Sequence, residues 1–120
     1  MNTRILYADD DEAACLIVRD QLTEEGYAVK TVRDGEAAMT LLQKEPFDVV
    51  LLDIRMPGKD GLEVLNEMKE RKINPRIIML TAVGEVSTAI EAVKRGANDY
   101  VTKPYQVEDL LSCIRRVLAR

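Results

Sequence analysis

The polar residues that close the apolar runs of this 120-residue chain are of the types that phosphoryl chemistry requires. They are Asp9, Asp10 and Asp11 after the first run, Asp53 after the third, Thr81 after the fourth and Lys103 after the fifth. Crowded carboxylates repel one another, and a hard divalent ion such as Mg²⁺, which prefers oxygen ligands, offsets that repulsion. A lysine and a threonine on the other side provide one point charge and one donor for a phosphate.

A carboxylate nucleophile beside Mg²⁺, with a lysine and a threonine facing the anionic oxygens, describes phosphoryl transfer to an aspartate. Because a carboxylate is already ionised at neutral pH, no general base is needed, and a chain without histidine can perform this step. Each residue also has an ordinary interpretation. Asp9–Glu12 suit a helix start, Asp53 a turn, Thr81 an N-cap and Lys103 a solvated loop. Four such groups at the ends of four strands favour the functional interpretation.

Two periodicities alternate along the chain and predict the elements that position these residues. The predicted strands are Arg4–Ala8, Tyr27–Val32, Asp48–Leu52, Arg76–Leu80 and Asp99–Thr102. Helical spacing lies between and after them. It is clearest from Val107 to Leu118, and the series Val86, Ala89, Ile90 and Val93 repeats it one helix earlier.

Glycines and acids mark the expected ends of the helices. Gly26 and Gly96 lie where a helix should end in a left-handed residue. Asp60 and Glu63 have the spacing of a capping box, and Gly61 is assigned with Pro57 and Gly58 to the loop before that helix.

Strand, crossover helix and strand in this order predict a single α/β domain over residues 1–120, a (βα)₅ doubly wound parallel sheet with helices on both faces. In such sheets, ligands bind outside the carboxyl ends of the strands, near the point where the strand order reverses. If the first and third strands are neighbours, as in the flavodoxin-like strand order 2-1-3-4-5, all the polar residues above face one crevice.

Composition excludes several classes of function. Seventeen basic and twenty-one acidic residues give a formal net charge of −4, which argues against nucleic-acid binding by this segment. The two cysteines, Cys15 and Cys113, lie on apolar helical stripes and predict reduced core thiols rather than zinc ligands. The apolar runs are too short for a membrane span, and the N-terminus leaves no room for a signal peptide, so we expect a cytoplasmic protein without membrane contact.

Four segments of the chain are similar to a known family, in unbroken order and spacing. They are ILYADDDE, DVVLLDIRMPGKDGLEVL, IIMLTA and GANDYVTKPY. The chain resembles, over its whole length, the receiver domains of two-component response regulators. The resemblance implies a signalling switch that takes a phosphoryl group from a phosphohistidine of a sensor histidine kinase or histidine phosphotransferase, or from a small acyl phosphate.

The resemblance implies a role for each matching residue. Asp53 is the expected phosphoacceptor. The expected metal ligands are Asp9, Asp10, Asp53 and the backbone carbonyl of Arg55, with Asp10 the more direct of the acidic pair. The expected ion is Mg²⁺, for which Mn²⁺ can substitute. Asp11 is a third acid whose role the resemblance leaves open.

The remaining implied residues would respond to the phosphoryl group. Thr81 and Lys103 are expected to contact it, Tyr100 to be the switch aromatic, and Lys103–Pro104 to be a cis peptide bond. Arg55 and Val83 lie where bulk is thought to tune autodephosphorylation, which predicts a long-lived phosphorylated form.

The resemblance also implies an output face. The fourth helix, fifth strand and fifth helix are the face through which such domains often form homodimers or contact an effector. On this interpretation the domain is a phosphoacceptor that promotes its own phosphotransfer and slow dephosphorylation, not a turnover enzyme.

Three other functions fit the pattern of residues less well. A phosphatase acting through an aspartyl phosphate needs an acid-base Asp two residues after the nucleophile, where this chain has Arg55. A flavodoxin-like cofactor binder needs a phosphate loop where this chain has DDDE, and three acids there repel a phosphate. A degenerate receiver used only for docking would have lost a key residue, and none is missing from this sequence.

Overall fold

The computed structural model describes residues 2–120, in which five strands alternate with five helices. The strands are β1 (Arg4–Ala8), β2 (Ala28–Val32), β3 (Val49–Asp53), β4 (Arg76–Thr81) and β5 (Asp99–Thr102). The helices are α1 (Glu12–Glu24), α2 (Gly35–Lys44), α3 (Gly61–Glu70), α4 (Val86–Lys94) and α5 (Val107–Leu118), with a 3-10 turn at Val83–Glu85 before α4. The alternation confirms the predicted (βα)₅ organisation.

All four strand pairings are parallel, and the strand order is β2-β1-β3-β4-β5, as predicted. Alternate residues of each strand face opposite sides of the sheet. Ile5, Tyr7, Leu51 and Leu80 join the apolar core beneath α1 and α5. The core beneath α2, α3 and α4 contains the apolar residues of the opposite face, namely Leu6, Ala8, Val50, Leu52, Ile77 and Met79. The sheet is therefore covered on both faces, which explains why β3 and β4 are apolar throughout.

Three strands differ from the prediction, each boundary by one residue. β2 begins at Ala28 rather than Tyr27, and β3 is Val49–Asp53 rather than Asp48–Leu52. β4 continues to Thr81 because Thr81 pairs with Thr102 of β5, as Asp53 pairs with Leu80. Asp53 and Thr81 are thus the last residues of their strands, held by the sheet itself, instead of the first residues of the following loops.

The helix ends agree with the predicted signals at four positions. Gly26 and Gly96, which follow α1 and α4, have φ angles of +97° and +119°. The Asp60 side chain accepts from the Glu63 N–H, and Glu63 accepts from the Asp60 N–H, which completes the predicted capping box. The sequence predicts Gly61 in the loop, but it is the first residue of α3.

The predicted apolar stripe of α4 is only partly buried. Ala89 and Ala92 are buried against the sheet, but Ile90 and Val93 are 45% and 38% exposed. The small alanines make the contact with β4 and β5, and the larger side chains are left at the surface. Among residues 2–120, no helix is long and apolar enough to cross a membrane.

Gly61 provides a test of how tightly α3 is packed against the end of β3. A Cβ added at Gly61 would lie 2.3 Å from the backbone oxygen of Asp53, whereas one added at Gly84 would meet nothing within 4 Å. We expect Gly61→Ala to lower the free energy of unfolding by about 1–3 kcal/mol or more, and Gly84→Ala to have little effect. Urea unfolding followed by circular dichroism measures both. Equal stability of the two variants would contradict the packing described here.

Candidate functional site

A single ammonium group joins two buried carboxylates at the carboxyl edge of the sheet. Lys103 Nζ donates to Asp53 Oδ2 over 2.8 Å and to Asp9 Oδ2 over 3.1 Å. Asp9 and Asp53 are both buried, whereas about a third of the Lys103 side chain is exposed. The three residues come from the ends of β1, β3 and β5, and the predicted meeting of these strand ends is observed.

The sheet register brings these groups together. Ala8 pairs with Leu52, so that the next residues, Asp9 and Asp53, leave neighbouring strands side by side. The Lys103 N–H donates to the Thr81 carbonyl over 2.7 Å and fixes the end of β5 against β4. The Lys103–Pro104 peptide bond is cis.

Burial and the shared lysine push the pKa values of the two acids apart. Burial raises the pKa of Asp53 to about 6; Lys103 opposes this shift and the nearby charge of Asp9 adds to it. Burial also acts to raise the pKa of Asp9, but the hydrogen bond from the Asp11 N–H and the Lys103 ammonium outweigh it and hold that pKa below its ordinary value. Asp9 is therefore firmly ionised, and Asp53 is the carboxylate more ready to change its charge.

The same pair accounts for the charge of the lysine. Burial alone would lower the pKa of Lys103, but the hydrogen bond and charge of Asp53, followed by those of Asp9, hold it well above its ordinary value. Lys103 is therefore a permanent cation at neutral pH. One cation facing two carboxylates leaves the pocket with excess negative charge.

The acidic cluster fits a divalent cation. One carboxylate oxygen from each of Asp9, Asp10 and Asp53 lies within 4.8 Å of the others, and Asp10 is the exposed member. Like charges about 4 Å apart repel by about 4 kcal/mol at an effective dielectric constant near 20. Oxygen donors in this number suit Mg²⁺, which keeps several of its waters.

Arg55 lies beside the cluster and is fixed in two ways. Its backbone N–H donates to Asp53 Oδ1 over 3.2 Å. Its exposed side chain forms an ion pair with Glu85, in the turn before α4. This pair connects the loop after β3 with the segment after β4 across the side of the pocket.

Thr81 and Tyr100 lie near the site without contacting its charged groups in the described contacts. The buried Thr81 hydroxyl donates to the Ala82 carbonyl over 3.2 Å. Tyr100 is partly buried against the core beneath α2, α3 and α4, on the face of β5 opposite to Val101. The structure brings Asp9, Asp10, Asp53 and Lys103 together. Among the described contacts, Thr81 and Tyr100 form no hydrogen bond with any of these four residues.

Three residues of the site have contacts that the sequence analysis did not assign. Asp11 is the N-cap of α1: its side chain accepts from the Ala14 N–H. Its own N–H donates to Asp9 Oδ1 over 3.0 Å. Tyr7 and Tyr105 form a hydroxyl chain that ends on Asp9. The sequence signal for this contact is the spacing of Tyr7 and Asp9, which are two residues apart at the end of β1 and therefore extend to the same face.

The comparison with known proteins decides the family. Residues 5–115 match the family described as the response regulator receiver domain. The chain belongs to this family. Receiver domains of this family are generally signalling domains of two-component systems, and a histidine kinase is in general their partner.

Individual relatives cover the whole receiver domain. The response regulator MprA of Mycolicibacterium vanbaalenii is 38% identical over 120 residues, which are 100% of this chain and 52% of that protein. The receiver domain of the Francisella response regulator 1452 is 30% identical with a TM-score of 0.90, covering 97% of this chain and 96% of that one. The chemotaxis response regulator CheY4 of Vibrio cholerae is also 30% identical, with a TM-score of 0.90. The match covers 98% of this chain and 99% of that one. The receiver domain spans about half the length of the curated relatives it matches.

The raised pKa of Asp53 predicts a stability that depends on pH in metal-free solution. Because the pKa is about 6 in the folded state against 3.8 for the free side chain, the folded state holds this proton more tightly. The associated stability is complete below pH 3.8 and is lost as the pH rises through 6. We therefore expect Asp53→Asn to be more stable than the wild type at neutral pH by about 1–3 kcal/mol, and this gain to shrink in acid.

Urea unfolding across this pH range, with a chelator present, measures the difference. Asp20→Asn, at an exposed aspartate, is the control and should give a small difference at every pH. An Asp53→Asn variant that is no more stable than the wild type at neutral pH would contradict the cause given for the pKa shift.

Proposed function

We propose that this receiver domain, residues 1–120, is a phosphorylation-dependent switch that accepts a phosphoryl group on Asp53. The proposal rests above all on the contact of Lys103 with both Asp53 and Asp9 in a pocket that has excess negative charge. Such a pocket suits a divalent cation, and the lysine suits the phosphoryl oxygens. The family match over residues 5–115 supports the same assignment.

The chain's own residues divide the work of the transfer. An oxygen of the ionised Asp53 attacks phosphorus, the bond from phosphorus to the donor breaks, and the donor imidazole, or the carboxylate of an acyl phosphate, leaves with that electron pair. Asp9, Asp10, Asp53 and the backbone carbonyl of Arg55 would hold Mg²⁺, which when bound neutralises charge on the transferred group. Mn²⁺ would serve in its place. Lys103 would exchange its contact with the carboxylates for one with a phosphoryl oxygen.

The phosphoryl group would then shift the domain between two conformations. Changing the active fraction from about 1% to 99% requires about 5.5 kcal/mol of differential stabilisation. Hydrogen bonds to a charged group contribute about 1.5–3 kcal/mol each, so that new bonds from Thr81 and Lys103 would account for most of it. Thr81 would turn from the Ala82 carbonyl to the phosphoryl group, and Tyr100 would move inward on the α4 side.

The partners follow from the same role. The phosphodonor would be a phosphohistidine of a sensor histidine kinase or histidine phosphotransferase in the cytoplasm. The output face would be α4, β5 and α5, through which two copies would form a homodimer. The exposed apolar side chains of Val83, Ile90 and Val93 on and before α4 support this surface. The domain would act as a phosphoacceptor rather than a turnover enzyme, and its net charge of −4 favours a role without nucleic-acid contact.

Acetyl phosphate provides a direct test of the acceptor. We expect the wild-type protein with Mg²⁺ to gain the mass of one phosphoryl group, because the ionised Asp53 needs only a donor and a metal. Asp53→Asn should abolish this gain, whereas Asp11→Asn, at a neighbouring N-cap where Asn serves equally well, should retain it. Intact-mass spectrometry measures all three proteins. Equal stoichiometry in Asp53→Asn would contradict the assignment.

The lifetime of the phosphorylated form tests the part assigned to Arg55. Its side chain pairs with Glu85 beside Asp53, where its bulk would hinder water from reaching the phosphoryl group. We expect the phosphorylated wild type to last longer than seconds, and Arg55→Ala to shorten that lifetime several-fold. Arg71→Ala, which removes an exposed arginine at the C-terminal end of α3, is the control. Loss of phosphate from the purified protein within seconds would contradict this prediction.

A further inference from the structure

Two tyrosines form a chain of hydroxyl groups that ends on the metal-site carboxylate Asp9. Tyr7 Oη donates to Asp9 Oδ2 over 2.9 Å, and the hydroxyl groups of Tyr7 and Tyr105 are 2.5 Å apart. A phenol has one hydrogen to donate. Because Tyr7 gives its hydrogen to the carboxylate, Tyr105 is the donor in the second contact. The chain therefore runs from Tyr105 to Tyr7 to Asp9.

These hydrogen bonds determine which oxygen of Asp9 remains free. An ionised carboxylate offers about four acceptor positions. Three are used here: Oδ1 accepts from the Asp11 N–H, and Oδ2 accepts from Tyr7 and from Lys103. The remaining position belongs to Oδ1. A cation, or a water bound to it, can use this free position on Oδ1. The three hydrogen bonds already fix the rotation of the carboxylate before the cation binds.

Tyr7 is the more permanent of the two donors on Oδ2. Its side chain is fully buried in the core beneath α1 and α5, where the ring is held by packing. Lys103 is a partly exposed flexible chain that also binds Asp53. When Lys103 turns to a phosphoryl oxygen, as the proposed function requires, Tyr7 still holds Asp9. Tyr105 packs against the same core and lines the groove beside α1.

We propose that Tyr7, supported by Tyr105, is a positioning residue that orients Asp9 for the divalent cation. The inference rests on the metal site of the proposed function and gives a role to two residues that have none in that proposal. Groups that hydrogen-bond to a metal ligand typically contribute about 10- to 100-fold to metal affinity. A hydrogen-bond chain also polarises each of its members, which strengthens the bond to the carboxylate.

The test measures binding of Mn²⁺ alone, with free ion detected by electron paramagnetic resonance. We expect Tyr7→Phe, which keeps the ring and removes the hydroxyl, to raise the dissociation constant by about tenfold. Tyr105→Phe should raise it less, because it acts through one more hydrogen bond. Tyr27→Phe is the matched control: this ring packs against the same core, and its loss of a hydroxyl should leave the affinity unchanged. Urea unfolding of each variant verifies that it is folded.

Combining variants separates positioning from general loss of structure. In an Asp9→Ala background, Tyr7→Phe should produce no further weakening, because the carboxylate through which it acts is gone. A Tyr7→Phe variant that binds Mn²⁺ like the wild type, or that weakens binding by the same factor with and without Asp9, would overturn the proposal. If Tyr7→Phe fails to fold, the same comparison is made with Tyr105→Phe.

Phosphorylation of the wild type by acetyl phosphate, measured beside Mn²⁺ binding by the variants, separates this inference from the proposed function. Should it bind Mn²⁺ with the expected dependence on Tyr7 but accept no phosphoryl group from acetyl phosphate, the phosphoacceptor function fails and the positioning role stands. Should it accept the phosphoryl group while Tyr7→Phe and Tyr105→Phe leave Mn²⁺ affinity unchanged, the positioning role alone fails.

Discussion

The ammonium group of Lys103 holds two buried carboxylates, Asp9 and Asp53, in one pocket, and the rest of the site depends on that contact. One positive charge cannot neutralise two negative charges, and the exposed Asp10 adds a third at the same edge. The pocket is thereby prepared for a divalent cation. The two buried acids differ in their pKa values: Asp9 is firmly ionised, while burial raises the pKa of Asp53. In the proposed function, Lys103 is the group that would leave the carboxylates for a phosphoryl oxygen.

The parallel sheet makes this contact possible. β1 and β3 are neighbours in the order β2-β1-β3-β4-β5. Asp9 and Asp53, which are 44 residues apart in sequence, therefore lie side by side at the carboxyl ends of adjacent strands. The alternation of side chains along β1 places Tyr7 and Asp9 on one face, which lets a core hydroxyl reach the site. α3 packs at Gly61 against the Asp53 backbone and leaves no room for a Cβ. Asp53 is thus fixed by the core and not by a mobile loop.

The sequence predicted the elements and the main acids because both rest on short-range rules. Apolar runs identify buried strands, and their carboxyl ends meet at one edge of a parallel sheet, which placed Asp9, Asp53 and Lys103 together. The hydrogen-bond partners and the burial of individual side chains could not be predicted, because they depend on packing between elements that are distant in sequence. Tyr7 looks like any core aromatic until its partner is known. Ile90 fits an apolar stripe, yet small alanines take the contact with the sheet and leave it exposed. The end of β3 depends on the pairing with β4.

The most direct measurement of the central claim is a crystal structure of the protein with Mg²⁺ and beryllofluoride, which imitates a phosphoryl group on a carboxylate. The account predicts beryllium bound to an Asp53 oxygen, Mg²⁺ among the oxygens of Asp9, Asp10 and Asp53, and Lys103 Nζ moved from the carboxylates to a fluoride. An adduct on another side chain, a metal ion bound outside this cluster, or a lysine still shared by the two carboxylates beside the adduct would contradict it.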